Sequence, residues 1–290
     1  MKIIALDSSG LVASVAVLED DTLLAEYSVN YKKTHSQTLL PMLDEIASMI
    51  ELDKSQIDAI AVAAGPGSFT GLRIGSATAK GLGLALGKPI IEVPTLAGMA
   101  YNLPYAAGLV CPVMDARRQQ VYNGIYRFEG KCLATLVDQR PIAAADLIDE
   151  LNGMDPSLTN AGVIFLGDGS YVVEPYAKEN LKIPYSFAPA HLARQSAGAV
   201  GALAMQLYAQ GRYVAAEEHA PIYLRKSQAE QERERQKKTR AGQEENGEQK
   251  SGTGFEENGE QKPGAGFEES GAQKPGDGNE GGESQKGLTV

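Results

Sequence analysis

Asp7 closes an apolar run, Lys2 to Leu6, and is followed at once by Ser8-Ser9-Gly10. A carboxylate at the end of a strand can do one of two things. It can face a metal-bound nucleotide phosphate across a cleft, or it can bond its own downstream backbone as an Asx turn. Further on, Gly65-Pro66-Gly67-Ser68-Phe69-Thr70-Gly71 breaks the chain between an apolar run and a helical pattern. Glycine tolerates positive φ and proline fixes it, so this is a sharp turn. A glycine-rich turn that opens a helix can cradle phosphate, because free N–H groups and the helix dipole favour anions there. Asp7, Gly65 and Gly67 are therefore the candidate cofactor-binding residues. The phosphate-loop pattern needs Lys and then Ser or Thr after its last Gly, and Leu72 and Arg73 stand there instead. The dinucleotide fingerprint does not fit either. The plain alternative is a tight turn in an α/β unit. The three histidines, His35, His191 and His219, lie in unrelated contexts, so no Ser-His-Asp set is readable. Cys111 and Cys132 have no metal or redox spacing. No catalytic residue and no metal ligand is expected.

These residues need elements to position them. Ile57 to Ala64 is a nearly continuous apolar run, as in a strand covered on both faces. A helix follows over 72–86, with Ser68 or Thr70 as its cap. Its small residues fall in two rows of every fourth position: Gly75, Ala79 and Gly83, and Ala77, Gly81 and Ala85. Each such glycine weakens a lone helix by roughly 1 kcal/mol, so close packing against another backbone is expected. Ile90 to Val93 is the next strand. Upstream, 2–6, 11–18 and 23–31 read as a three-stranded meander. Thr34 and Gln37 have capping-box spacing before a helix through LLPMLDEIASMIEL. Leu39, Leu43, Ile46 and Ile50 form one stripe, flanked by Leu40, Met42, Ala47 and Met49. That apolar arc is wider than the ~100° that core packing needs. Either the helix is deeply buried or part of it meets a partner.

The pattern then restarts, with strands over 109–114, 120–128 and 131–137. A helix over 144–151, a strand over 163–166, and helices over 171–179 and 191–210 follow. The expected domains are 1–106, 107–225 and a tail, 226–290. The tail carries a twelve-residue repeat, EENGEQKSGTGF, EENGEQKPGAGF and EESGAQKPGDGN, which holds too few hydrophobes to offset the entropy of ordering and reads as disordered.

The 290 residues are 43 % hydrophobic with a net charge of -10, which argues against a broad nucleic-acid footprint but leaves local RNA contact open. Met1 to Asp7 has no signal-peptide layout, and the apolar helix carries Lys80 with Lys88 just beyond it. No membrane span and a cytoplasmic setting are expected.

Two meander-plus-helix halves, each with an acid after its first strand, resemble the actin, Hsp70 and sugar-kinase superfamily. Within it, MKIIALDSS, HSQTLLPMLDEI, VAAGPGSFTGLRIGSATAKGLGLAL, PVMDARRQQVY and PIYLR resemble the TsaB (YeaZ) family over residues 1–225. The resemblance implies an α/β fold of two duplicated ribonuclease-H-like lobes with mixed sheets. It implies a non-catalytic scaffold or activator in the bacterial machinery that forms threonylcarbamoyladenosine at position 37 of tRNAs reading codons that begin with A. Its partners would be a catalytic paralogue, TsaD, and an ATPase, TsaE, with tRNA engaged through the complex. The paralogue carries two metal-binding histidines, four apart, where this chain has Thr95 and Met99, and neither suits such an ion. The family docks through its first two helices. That implies partner contacts at Leu39, Leu40, Leu43, Ile46, Ile50, Arg73, Gly75, Ala79 and Gly83, and the same helices could pair two copies of the chain. No cofactor is expected to be firmly bound, with ATP or ADP at the partner interface as the exception. Two alternatives stand beside this reading. One is an active ATPase or kinase using Asp7, Asp115 and Asp168. The other is an interaction protein whose repeat tail does the work.

Overall fold

A computed structural model describes residues 1–31 and 34–225. The twelve-residue repeats lie outside the described residues. β1 (Lys2–Asp7), β2 (Val12–Glu19) and β3 (Thr22–Asn30) form the expected antiparallel meander. α1 (His35–Met49), a 3-10 turn at Lys54–Gln56, β4 (Ala59–Gly65), α2 (Phe69–Leu86) and β5 (Ile90–Pro94) follow. The first sheet has the order β3-β2-β1-β4-β5, with β1, β4 and β5 parallel. α3 (Thr95–Ala100), unassigned from the sequence, leads to β6 (Leu109–Asp115), β7 (Gln120–Glu129) and β8 (Cys132–Ala143). α4 (Ala144–Gly153), α5 (Pro156–Thr159), β9 (Val163–Leu166), α6 (Ser170–Asn180) and β10 (Tyr185–Phe187) complete a second mixed sheet. Its order is β10-β9-β6-β7-β8. Read from the other edge, this repeats the strand order of the first sheet. The duplication seen in the sequence is thus one of topology.

Alternation along the strands sorts side chains into layers. Ile4 and Leu6 face one side of the first sheet, with Leu39, Met42, Leu43 and Ile46 of α1 and Ala79 of α2. Ile3 and Ala5 face the other side, with Leu96 and Met99 of α3 and Val200 and Ala204 of α7 (Ala197–Ala209). That same cluster takes in Val110, Met114 and Tyr126 of the second sheet, while α4 and α6 cover its far face.

Three local expectations change. The Ala-rich helix begins at Ala197, not 191. The Ala193 carbonyl accepts from Gly167 N–H at 2.9 Å, which ties that backbone to the second sheet, and Ser196 caps the helix through Ala199 N–H at 3.1 Å. Thr34 makes no side-chain cap bond, and its carbonyl accepts from Gln37 N–H at 2.9 Å. Residues 197–222, read from the sequence as part of the second lobe, return to the first sheet, while Arg225 reaches the turn between β6 and β7 of the second. α7 packs on the first sheet and Val214 bridges to Ile90.

Candidate functional site

The turn after β1 meets the glycine-rich turn before α2. Asp7 is 1 % exposed. Its Oδ1 accepts from Ser9 N–H at 2.8 Å and from the Ser9 hydroxyl at 2.7 Å, which is the Asx-turn geometry. Its Oδ2 has no hydrogen-bond partner among the described residues. Burial pushes this carboxyl up to about 6, against the Ser9 bonds and the His35 charge, which lower it. At about 6 the carboxyl is still mostly ionised near neutral pH, so what distinguishes Asp7 is its Asx turn and its burial rather than a held proton. His35 Nε2 lies 2.9 Å from the Gly10 carbonyl oxygen, and the buried Gln195 side chain occupies the space that a Cβ on Gly10 would need.

Gly65 N–H donates to Thr95 Oγ1 at 3.1 Å, and Gly65 O accepts from Gln139 Nε2 at 2.9 Å. Gly65 has φ +130°, and a Cβ there would run into the Ile222 carbonyl. Ser68 N–H donates to the Ser9 carbonyl at 2.6 Å. A Cβ on Gly67 would strike that same carbonyl, and one on Gly71 would strike the Ser8 carbonyl. Ser68 Oγ, one of the two expected caps, accepts from Gly71 N–H at 3.3 Å. Gly65 and Gly67 therefore serve close approach of the chain's own backbone. The side from which a phosphate would reach the Ser68 N–H is taken by Ser9.

Residues 212–225 form a strap over α2. Lys80 Nζ donates to the Glu217 carbonyl at 2.6 Å, and Arg73 Nε to the Tyr223 hydroxyl at 3.2 Å. Ile222 N–H donates to Ala64 O at 2.7 Å. Under the strap, His219 Nε2 lies 2.5 Å from Ser76 Oγ, and His219 Nδ1 lies 2.6 Å from Glu92 Oε1. This Ser76–His219–Glu92 line could not be read from the sequence, in which no Ser-His-Asp set is legible. It was invisible because its members sit on α2, β5 and the strap. Ser76 lies inside a helix whose N–H groups are bonded within it, so no oxyanion donors converge there. The line acts as a bolt that holds the strap.

The expected docking residues separate by exposure. Leu39, Leu43 and Ile46 are buried under α1, and Gly75, Ala79 and Gly83 are buried under α2. A Cβ on Gly75 would meet the Ser8 hydroxyl, and one on Gly83 would meet Ala216 Cβ at 2.9 Å. These six are core in this chain, so substitution there tests folding before docking. Leu40 and Arg73 are exposed and Ile50 is half-buried. Facing outward instead is the other row of α2, Ala77, Gly81 and Ala85. A Cβ on Gly81 would meet nothing within 4 Å among the described residues.

In the second lobe, Asp168 Oδ1 accepts from Asp115 N–H at 3.2 Å, and burial raises the Asp168 carboxyl above its usual range. Asp115 accepts from Arg117 N–H at 2.7 Å, Arg117 Nη1 at 3.1 Å and the Tyr171 hydroxyl at 2.8 Å. Both acids thus hold turns. Thr95 and Met99 are buried, and the hydroxyl and thioether they present do not fit a divalent metal site of hard or borderline character.

A family model described as TsaD, tRNA N6-adenosine threonylcarbamoyltransferase, matches residues 22–233. The tRNA threonylcarbamoyladenosine biosynthesis protein TsaB of Bacillus subtilis is 36 % identical over 167 residues, 58 % of this chain and 71 % of that one. The Escherichia coli protein of the same name is 31 % identical over 249 residues, 79 % of this chain and 96 % of that one. The chain belongs to the TsaB family. The structure of YeaZ from Pseudomonas aeruginosa agrees, at a TM-score of 0.65 and 28 % identity over 77 % of this chain and 99 % of that one. Membership covers the two-sheet body, and the expected contacts of the family's first two helices therefore fall on α1 and α2.

Proposed function

We propose that the chain works in threonylcarbamoyladenosine biosynthesis on tRNA as a scaffold that supports a TsaD-type transferase. The observation that carries this reading is the outward face of α1 and α2. Leu40, Met49 and Leu84 are 52 %, 72 % and 50 % exposed, beside an α2 row of small residues that leaves the helix backbone open to close approach. Both helices lie on the same side of the first sheet. A partner helix pair can pack there, whether from the transferase or, in isolation, from a second copy of the chain. A TsaE-type ATPase joins the assembly, tRNA is engaged through it, and ATP or ADP binds at the partner interface rather than in this chain alone. The two lobes are those of the actin, Hsp70 and sugar-kinase superfamily. The setting is cytoplasmic, in keeping with the absence of any membrane-length apolar helix among the described residues. Turnover of ATP by this chain is disfavoured by the Ser9 carbonyl packed against Gly67, which fills space a phosphate would need at that turn.

Gly81→Arg and Leu84→Asp test the surface. Both should abolish co-elution with the transferase on size-exclusion chromatography while circular dichroism stays unchanged. Co-elution of both variants at the wild-type position would move docking elsewhere.

A further inference from the structure

The turn between β6 and β7 holds three consecutive residues at left-handed φ: Arg117 at +66°, Arg118 at +55° and Gln119 at +57°. None is glycine. Each residue with a side chain costs roughly 1–2 kcal/mol in this region. The turn itself closes through backbone bonds, Gln120 N–H to Arg117 O at 3.1 Å and Ala116 N–H to Gln120 O at 2.9 Å, and these need no particular side chain. Glycine or asparagine would make the same turn with less strain. The two arginines are therefore present for what their side chains do.

They border a cavity of about 620 Å³, lined also by Tyr171, Pro175, Tyr176 and Glu179. Arg117 is paired with Asp115, and Glu179 adds a second carboxylate to the rim. Arg118 is exposed and makes no hydrogen bond or ion pair with another described residue. Tyr171 is exposed, and its hydroxyl is fixed on Asp115, which holds the ring in place at the mouth. Tyr176 donates its hydroxyl to Gln119 Oε1 at 3.0 Å, which braces the turn from α6. Arg225 braces it from the strap, donating to Ala116 O at 2.9 Å and to Gln120 Oε1. The result is a braced turn offering one guanidinium without a partner among the described residues, beside a fixed aromatic ring. That pairing suits a phosphate with an attached base: the guanidinium takes the phosphate oxygens and the ring stacks on the base.

We propose that the Arg118–Tyr171 cavity binds one nucleotide unit of single-stranded RNA, phosphate on Arg118 and base on Tyr171. The choice of RNA as the source rests on the proposed role in tRNA modification. A free nucleotide shares the same chemistry. The site is local, so it is compatible with a chain of net charge -10.

The test is fluorescence anisotropy with the full chain, a labelled tRNA transcript and a labelled single-stranded RNA, with free AMP as competitor. Arg118→Gly relaxes the strained backbone while removing the guanidinium. It should raise the melting temperature, yet weaken RNA binding about tenfold, the scale of one charge-assisted contact. The salt dependence of binding should fall by about 0.7 in slope, as for one single-strand phosphate. Arg118→Lys should bind between the two, and Tyr171→Ala should weaken binding without changing the slope. Displacement by AMP at low concentration would mark a free nucleotide as the source; resistance to AMP would mark the strand. RNA binding by Arg118→Gly equal to wild type, or no RNA or AMP binding by the wild-type chain, overturns the inference. A modification assay run in parallel keeps the two readings apart. Modification that needs the chain while Arg118→Gly leaves RNA binding unchanged removes this site alone, whereas modification that proceeds without the chain removes the proposed function.

Discussion

At Asp7, burial decides the chemistry. The carboxyl sits near 6 in the folded chain, above its ordinary value of 3.8, so the folded state holds the proton more tightly than the unfolded one. Its contribution to stability is then complete below about pH 4 and is lost as pH rises through about 6. Two units correspond to about 3 kcal/mol at most. Urea unfolding measured across this window should show wild type losing up to that amount relative to Asp7→Asn, whose amide oxygen can still accept both Ser9 bonds. Parallel profiles for the two proteins would mean that folding does not raise the Asp7 carboxyl. The sequence marked Asp7 and left two roles open, because an acid before Ser-Ser-Gly serves either. The structure shows the Asx turn, and it brings Ser9 against Gly67 and Ser68, a contact between turns far apart in the chain. Arg117 and Arg118 show a different limit. Their letters helped to carry the family resemblance, but nothing in DARRQQVY signals left-handed backbone, which glycine would have signalled.

At the scale of elements, periodicity was readable and partners were not. The stripe Leu39, Leu43 and Ile46 and the row Gly75, Ala79 and Gly83 were both found by spacing. Spacing cannot say whether a stripe meets the chain's own sheet or another protein. Here the sheet takes both, and the face left open is the neighbouring row. The strap is the element that sequence reasoning could least recover. It has little regular structure of its own, and its anchors reach Ser76, Glu92, Ala64 and Ala116 across long stretches of chain. His219→Ala should leave the Ser76 hydroxyl and the Glu92 carboxylate without this partner and cost about 1–3 kcal/mol. Limited proteolysis should then cut within 212–225 faster than in wild type. Unchanged cleavage would show that the remaining anchors hold the strap without the bolt.

For the whole molecule, the repeated strand order explains why an acid follows the first strand of each half. Each acid caps the turn that leaves its sheet. Two meanders, each followed by buried strands, are legible in the sequence because hairpins and buried parallel strands have distinct letter patterns. The return of α7 to the first sheet was not, since an Ala-rich helix of nearly uniform hydrophobicity names no side to pack on. The proposed role is support of a transferase without chemistry of the chain's own. A dropout reconstitution addresses it most directly. The TsaD-type and TsaE-type partners, tRNA, threonine, bicarbonate, ATP and the adenylate-forming enzyme are combined with and without this chain, and modified adenosine is quantified by mass spectrometry. A scaffold gives modification only when the chain is present, together with ATP hydrolysis by the chain alone no faster than a blank. Equal modification without it, or ATP turnover by the purified chain that Asp7→Ala abolishes, would contradict the scaffold role.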